Sequence, residues 1–314
     1  MTRTSKTIVF FGNERLVSGL THTDTPILNG LIERHYKIAA VVSHYSESRS
    51  RKQRKLEVAA VAEQHNIPLY LPKNPTDIIG TLQSLNPDAA VLVAYGRIIP
   101  KSIIDIFPYG IINIHPSLLP KHRGPTPIES TILDGDHETG VSIMQLSAGM
   151  DEGPVYAQQK IPLQGNEAKY DLYEKLAEIS ATSLFETLPR ILDGSLTPTK
   201  QDTTQATYSR LLTKPDGVID WNKPADLIAR EIRAYLDWPG SHTRLGSIEV
   251  IIRGAHALPD NFAKTGDYRI DRSLTVQTGS GSLSVSTIQP IGKKEMPIQA
   301  FLAGYKDKLK LIDN

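Results

Sequence analysis

The chain has 314 residues, 39% hydrophobic and 22% charged, with 35 Lys and Arg against 34 Asp and Glu and a formal net charge of +1. The length exceeds the ~100–200 residues usual for one domain and favours two, while the apolar runs fall far short of the ~20 residues of a membrane span. The charge gives no overall pull toward polyanions, and the absence of cysteine excludes disulfides, thiol nucleophiles and thiolate metal sites and agrees with a reducing compartment.

Only six residues precede the first apolar run, Thr7–Phe11, so neither a secretory signal nor a transit peptide is expected, and the protein is expected in the cytosol. The first half alternates strand-like and helix-like stretches. Thr7–Phe11 leads to a segment ending near Tyr36, then Ile38–Val42, a helical Leu56–His65 and a short extended Pro68–Leu71. A helical Thr76–Leu85 stops at Asn86-Pro87, where proline forbids continuation. Ala89–Tyr95 is a nearly unbroken apolar run, as in a parallel strand buried on both faces. Such alternation means an open α/β sheet, in which ligands sit beyond the carboxyl ends of the strands.

Residues 110–128 combine a short apolar strand, two polar side chains and a proline-rich loop. Along Ile111–His115 the side chains alternate, so Asn113 and His115 face one space while Ile112 and Ile114 point the other way. Thr126-Pro127-Ile128-Glu129 is a helix start, with threonine as N-cap and proline at the first helical position, and the helix stops near Gly135. Val141–Leu146 and Val155–Leu163 read as strands joined by the turn-rich Ser147–Pro154, which carries Asp151. Apolar residues recur at helical spacing from Lys169 to Leu192 and close a first domain, 1–193.

Residues 194–209 are polar and read as a linker. Beyond it, in 210–314, a helix at Ala225–Leu236 precedes short Gly-punctuated strands at Ser247–Arg253, Gly266–Ile270, Ser273–Thr278 and Gly281–Ile288. That pattern indicates a small antiparallel barrel or sandwich, with an OB-type β-barrel the natural match in size.

His115 can take and return a proton near neutrality, and it ends a strand at a crevice; a histidine that only caps a loop is the plainer alternative. Asn113 can donate to a developing oxyanion or can satisfy a buried backbone group. Asp151 can orient His115 or simply form its turn. The turn after strand one, Phe11-Gly12-Asn13-Glu14, lacks GxGxxG, no GxxxxGK[ST] occurs, and no HExxH or calcium-loop spacing is present. Dinucleotide binding, phosphoryl transfer and a metal site are therefore not expected. Arg49, Arg51, Lys52, Arg54 and Lys55 put five cations in seven residues, suited to a solvated face or to a phosphate backbone, and Lys293, Lys294, Lys306, Lys308 and Lys310 add charge to the second domain.

At Asn113, His115, Ser117–Gly124, Thr139–Met144 and Gly149–Gly153 the chain resembles the folate-dependent formyltransferases. Val93–Gly96, Asp220-Trp221, Trp238-Pro239, Gln289–Met296 and Phe301–Gly304 extend the resemblance over nearly the whole length. The C-terminal stretch narrows it to the members that act on methionine carried by initiator tRNA. The resemblance implies a Rossmann-like formyltransferase domain joined to an OB-type domain, with 10-formyltetrahydrofolate as cosubstrate, initiator methionyl-tRNA as partner, no metal, and a monomer. It implies Asn113, His115 and Asp151 as the catalytic set and Ser117, Leu118, Leu119 and Pro120 as a folate-contacting loop. The segment carrying Arg49, Arg51, Lys52, Arg54 and Lys55 falls where the family has a tRNA-contacting loop. The chain departs from the common pattern at Asn13, Glu14 and Glu152, the last adding a like charge beside Asp151.

Overall fold

A computed structural model describes residues 6–17, 22–44, 56–271 and 273–309. The chain forms two compact units. The first comprises Met1–Ile128, His137–Leu163 and Tyr170–Arg210, and the second comprises Glu129–Asp136, Gln164–Lys169 and Leu211–Asn314.

The first unit is built on a seven-stranded sheet. Its strands are β1 (Thr7–Gly12), β2 (Lys37–Val42), β3 (Leu69–Tyr70), β4 (Ala89–Val93), β5 (Ile111–His115), β6 (Glu138–Gln145) and β7 (Val155–Pro162). Their order is β3-β2-β1-β4-β5-β6-β7. β1 to β5 run parallel, and β6 and β7 add antiparallel to the edge. Every residue of β4 and β5 is buried, as their continuous apolar sequence requires of strands covered on both faces. Each fully buried Val, Ile, Leu or Phe of this core contributes roughly 1.5–3 kcal/mol. The order of the strands reverses between β1 and β4, which opens the crevice where ligands of such sheets bind.

Among the described residues up to Leu192 the helices are α1 (Pro26–Glu33), α2 (Glu57–Gln64), α3 (Ile79–Ser84), α4 (Lys101–Ile104), α5 (Pro127–Asp134), most of which belongs to the second unit, and α6 (Lys169–Leu192). The helix expected from Thr76 starts instead as a 3-10 turn over Pro75–Ile78, because Asn74 and Asp77 form a reciprocal cap. α5 matches its expected bounds, although Thr126 donates its hydroxyl to the Arg210 carbonyl at 2.8 Å. α6 runs unbroken for 24 residues through Pro189, with Leu172, Leu176, Leu184 and Leu188 fully buried. A cavity of about 310 Å³ is lined by Gln83, Asn86, Pro87, Ser102, Asp105 and Ile106 and contains none of the expected site residues.

The second unit holds α7 (Ala225–Ala234), β8 (Ser241–Leu245), β9 (Ile248–Leu258), β10 (Tyr268–Ile270), β11 (Leu274–Gln277), β12 (Ser282–Pro290), β13 (Met296–Pro297) and α8 (Ile298–Tyr305). The strands pair antiparallel in the order β10-β11-β12-β9-β8, with β13 on β12. Register shifts between β12 and β9 bend this sheet around Ile228, Ile232, Val250, Leu283 and Phe301, giving the OB-type architecture. Lys169 is fully buried in this unit and donates to the carbonyls of Leu236 and Trp238. Burial pushes its ammonium below the ordinary lysine range, and Glu129 and Asp237 oppose that shift.

Among the described residues no helix is long and apolar enough to cross a membrane. The stretch expected as a linker is bonded into the first unit. Val155 and Thr199 exchange backbone hydrogen bonds at 2.8 Å each, and Arg123 and Ser209 extend the pairing further along.

Candidate active site

β5 delivers Asn113 and His115 to the same face, because both lie in one uninterrupted strand two positions apart. Asn113 is opposite Met144 and His115 opposite Ser142 on β6. Both side chains are buried, at 6% and 4% exposure. None of the described residues hydrogen-bonds the Asn113 amide. The His115 Nε2 lies 3.0 Å from the carbonyl oxygen of His122. A carbonyl only accepts, so Nε2 carries a proton, and Nδ1 is the ring nitrogen turned toward Asp151. Nδ1 lies 3.7 Å from Oδ2 of Asp151.

Asp151 reaches that position from the turn between β6 and β7, where it adopts a left-handed φ of 51°. Its Oδ2 accepts the backbone N–H of Gly124 at 2.7 Å. Gly124 has φ 108°, and a Cβ there would come within 2.7 Å of the Ser209 carbonyl oxygen, so only glycine presents its amide to Asp151 in this way. Glu152 is exposed and folds back on the turn, where a Cβ on Gly149 would meet its carboxyl at 2.4 Å.

The loop Ser117–Pro120 is rigid for reasons that the sequence does not display. Ser142 on β6 donates its hydroxyl to the Ser117 carbonyl at 2.7 Å and accepts the Leu119 amide at 3.0 Å. Gln158 on β7 donates to Ser142 Oγ at 2.9 Å and to the Leu119 carbonyl at 2.8 Å. Ser117 spends its own hydroxyl on the Lys121 carbonyl at 2.6 Å. Ser117 and Leu119 are buried, and Leu118 and Pro120 are half-buried. Arg123, at 1% exposure, donates through Nε and Nη2 to Gln201 Oε1 and through Nη1 to the Tyr208 hydroxyl. Ser142, Gln158, Arg123 and Gln201 were not singled out by the sequence. Each acts through partners 16 to 85 positions away, which no local spacing signals.

At the neighbouring strand ends, the Tyr95 and His44 rings meet edge to face at 5.9 Å. Tyr95 Oη, His44 Nδ1 and Ser43 Oγ are buried without a hydrogen-bond partner among the described residues. Burial, helped by the Arg97 charge, holds His44 below the ordinary histidine range. At the turn after β1, Gly12 has φ 128°, and a Cβ there would collide with the Val93 backbone. Glu14, 3% exposed, accepts the Ile27 and Leu28 amides at 2.9 and 2.8 Å and so occupies the N-terminus of α1. Burial pushes its carboxyl up to about 7 against the lowering pull of those two amides. Arg49, Arg51, Lys52, Arg54 and Lys55 lie outside the described residues. Lys293, Lys294, Lys306 and Lys308 are exposed. Among the described residues no group of His, Asp and Glu has the geometry to hold a metal ion.

Two family models match the chain, "Formyl transferase" over residues 14–188 and "Formyl transferase, C-terminal domain" over 211–306. A protein named methionyl-tRNA formyltransferase from Citrifermentans bemidjiense is 36% identical over 312 residues, covering 96% of this chain and 95% of the relative. Another of that name from Chloroflexus aggregans is 39% identical, covering 88% and 92%. Among solved structures, the sugar 3N-formyl transferase WlaRD superposes with a TM-score of 0.66 at 18% identity, over 92% of this chain and 99% of that one. HypX from Aquifex aeolicus in complex with tetrahydrofolic acid gives 0.63 at 17% identity, over 95% of this chain and 47% of the longer HypX chain. At such identities the two structures establish a shared fold.

Proposed function

The chain belongs to the formyl transferase family, and from that premise we propose how its residues move a formyl group from 10-formyltetrahydrofolate to the α-amine of methionine on initiator methionyl-tRNA. The product is N-formylmethionyl-tRNA, used to initiate translation. The observation that carries the catalytic assignment is the approach of His115 and Asp151 to 3.7 Å beside Asn113 on one strand.

With Nε2–H committed to the His122 carbonyl, His115 Nδ1 is the site that takes the proton of the attacking amine. That proton comes to lie between the ring and the Asp151 carboxylate, which holds the imidazolium in place. Asn113 donates its amide to the formyl oxygen as charge builds there. The bond from carbon to the methionine nitrogen forms, the bond to the folate nitrogen breaks, and the proton on Nδ1 goes to the departing nitrogen.

The unpartnered polar atoms of Tyr95, His44 and Ser43 fit a ligand with a polar ring, as the folate is, and offer it donors and acceptors in a buried setting. Ser117, Leu118, Leu119 and Pro120 form a wall beside His115, with the backbone of Ser117 and Leu119 satisfied internally. We assign the catalytic and folate-binding role to residues 1–193, the connection to 194–209, and tRNA binding to 210–314 together with Arg49, Arg51, Lys52, Arg54 and Lys55. The same reading places the protein in the cytosol as a monomer.

The rival acceptors are small phosphorylated amines such as glycinamide ribonucleotide or a nucleotide-linked amino sugar. A phosphate in an α/β fold is commonly held by free amides at a helix N-terminus. Here the second and third amides of α1 are already taken by the buried Glu14 side chain and are not free for such a group. The experiment is formyl transfer from 10-formyltetrahydrofolate offered in parallel to charged initiator tRNA, glycinamide ribonucleotide and a nucleotide amino sugar. The reading expects product on the tRNA; equal or faster reaction of a small amine would overturn it.

A further inference from the structure

We infer that Gln201, in the polar stretch after α6, is a positioning residue for the reaction, setting the placement of Asp151 against His115. The inference rests on the formyl-transfer reading of this site.

Gln201 Nε2 donates to two carbonyls of the Asp151 turn, Asp151 O and Gly153 O, at 2.7 Å each. Its Oε1 accepts from Arg123 Nε at 3.1 Å and Nη2 at 2.8 Å. One side chain thus uses its donor end on the turn that carries the carboxylate and its acceptor end on the loop facing the imidazole. That loop meets the site on either side of Arg123. The carbonyl of His122 receives the His115 proton at 3.0 Å, and the amide of Gly124 holds Asp151 Oδ2 at 2.7 Å. The links close on themselves: His115, the 122–124 backbone, Arg123, Gln201, Asp151, and back to His115.

Two further observations separate this from ordinary loop satisfaction. Arg123 is a buried guanidinium whose bonds go to the neutral oxygens of Gln201 and Tyr208, with no carboxylate bonded to it among the described residues. Burying a cation on neutral acceptors costs stability, and fold support alone would be better served by a carboxylate at position 201. A carboxylate there, however, has no N–H to give the two turn carbonyls. Asp151 also sits at a left-handed φ of 51°, a conformation that needs support from its surroundings.

The test uses Gln201→Glu and Gln201→Ala in the full chain. Gln201→Glu keeps acceptors for Arg123 and removes both donors to the turn. It is expected to melt no lower than the parent, while kcat falls ~10- to 100-fold, the usual consequence of displacing a reacting group by about an ångström, with KM for both substrates nearly unchanged. In an Asp151→Ala background the same change is expected to lower kcat less than about two-fold further, since its effect passes through that carboxylate. Unchanged kcat in Gln201→Glu, a loss confined to KM, or a full additional loss in the Asp151→Ala background would overturn the inference. So would unfolding of both variants, since a residue on which the whole unit depends is not a positioning residue. Failure of the parent enzyme to formylate methionyl-tRNA would instead remove the functional reading. The inference would then be decided by the ¹⁵N signals of His115, whose pH titration is expected to shift in Gln201→Glu and would contradict it if superimposable on the parent.

Discussion

Replacing Glu14 with glutamine should change both the size and the sign of a stability difference as pH rises. The carboxyl is held up to about 7 in the folded protein against an ordinary 4.5, with burial as the main cause. In the window between those values the folded protein keeps the proton and the unfolded chain loses it. Stability from this group is therefore complete below the unfolded value and falls as pH climbs to the folded one. At 1.36 kcal/mol per unit the loss amounts to about 3 kcal/mol. Glutamine has no proton to lose, so this slope disappears. It offers one acceptor to the Ile27 and Leu28 amides where the carboxyl offers two, at a cost of about 1 kcal/mol near pH 4.5. Urea unfolding of the two proteins from pH 4.5 to 8 should show the parent ahead by about 1 kcal/mol at the acid end and the variant ahead by about 2 kcal/mol at the alkaline end. A difference that does not vary with pH, or a parent that gains on the variant as pH rises, would refute the assignment of a neutral buried carboxyl.

Other consequences follow from the same contacts. Ser142→Ala strips the Ser117 carbonyl and Leu119 amide of a shared partner and should cost about 1–3 kcal/mol by urea unfolding; an unperturbed midpoint would mean that the loop holds itself. Lys169→Met leaves the carbonyls of Leu236 and Trp238 without their donor and should destabilise by a similar 1–3 kcal/mol, whereas a stabilised variant would show that the buried ammonium is a net liability. If Arg51 and Lys52 touch tRNA phosphates, kcat/KM should fall steeply with salt, and the double alanine variant should flatten the log–log slope by about two; identical slopes would take these cations out of the interface.

Much of the site was legible because it obeys local periodicity. Alternation along Ile111–His115 was enough to set Asn113 and His115 on one face, and the structure makes that stretch a single strand. The helix from Pro127 announced itself through its first residues. β8 escaped notice because Ser241-His-Thr-Arg-Leu245 has no apolar alternation; it is a strand by virtue of pairing with β9. β9 runs past Arg253 to Leu258 through Gly254-Ala-His-Ala-Leu258, mostly small residues of weak strand preference that are strand because they pair with β12 across register shifts. Gln201 was hidden in a stretch whose polarity suggested a free connection, and its partners lie 48 to 78 positions away. Glu14 stood out only as a departure from a common turn, and its task as a helix cap depends on a backbone conformation with φ 59° that its neighbours impose.

The most direct test is a single-turnover measurement of formyl transfer to charged initiator tRNA by the parent enzyme, Asn113→Ala and His115→Ala, each first shown to melt as the parent does. Losing one group that meets the developing charge or its proton should slow the chemical step on the order of 10²–10³-fold while the protein remains folded. Transfer at the parent rate by either folded variant would contradict the account.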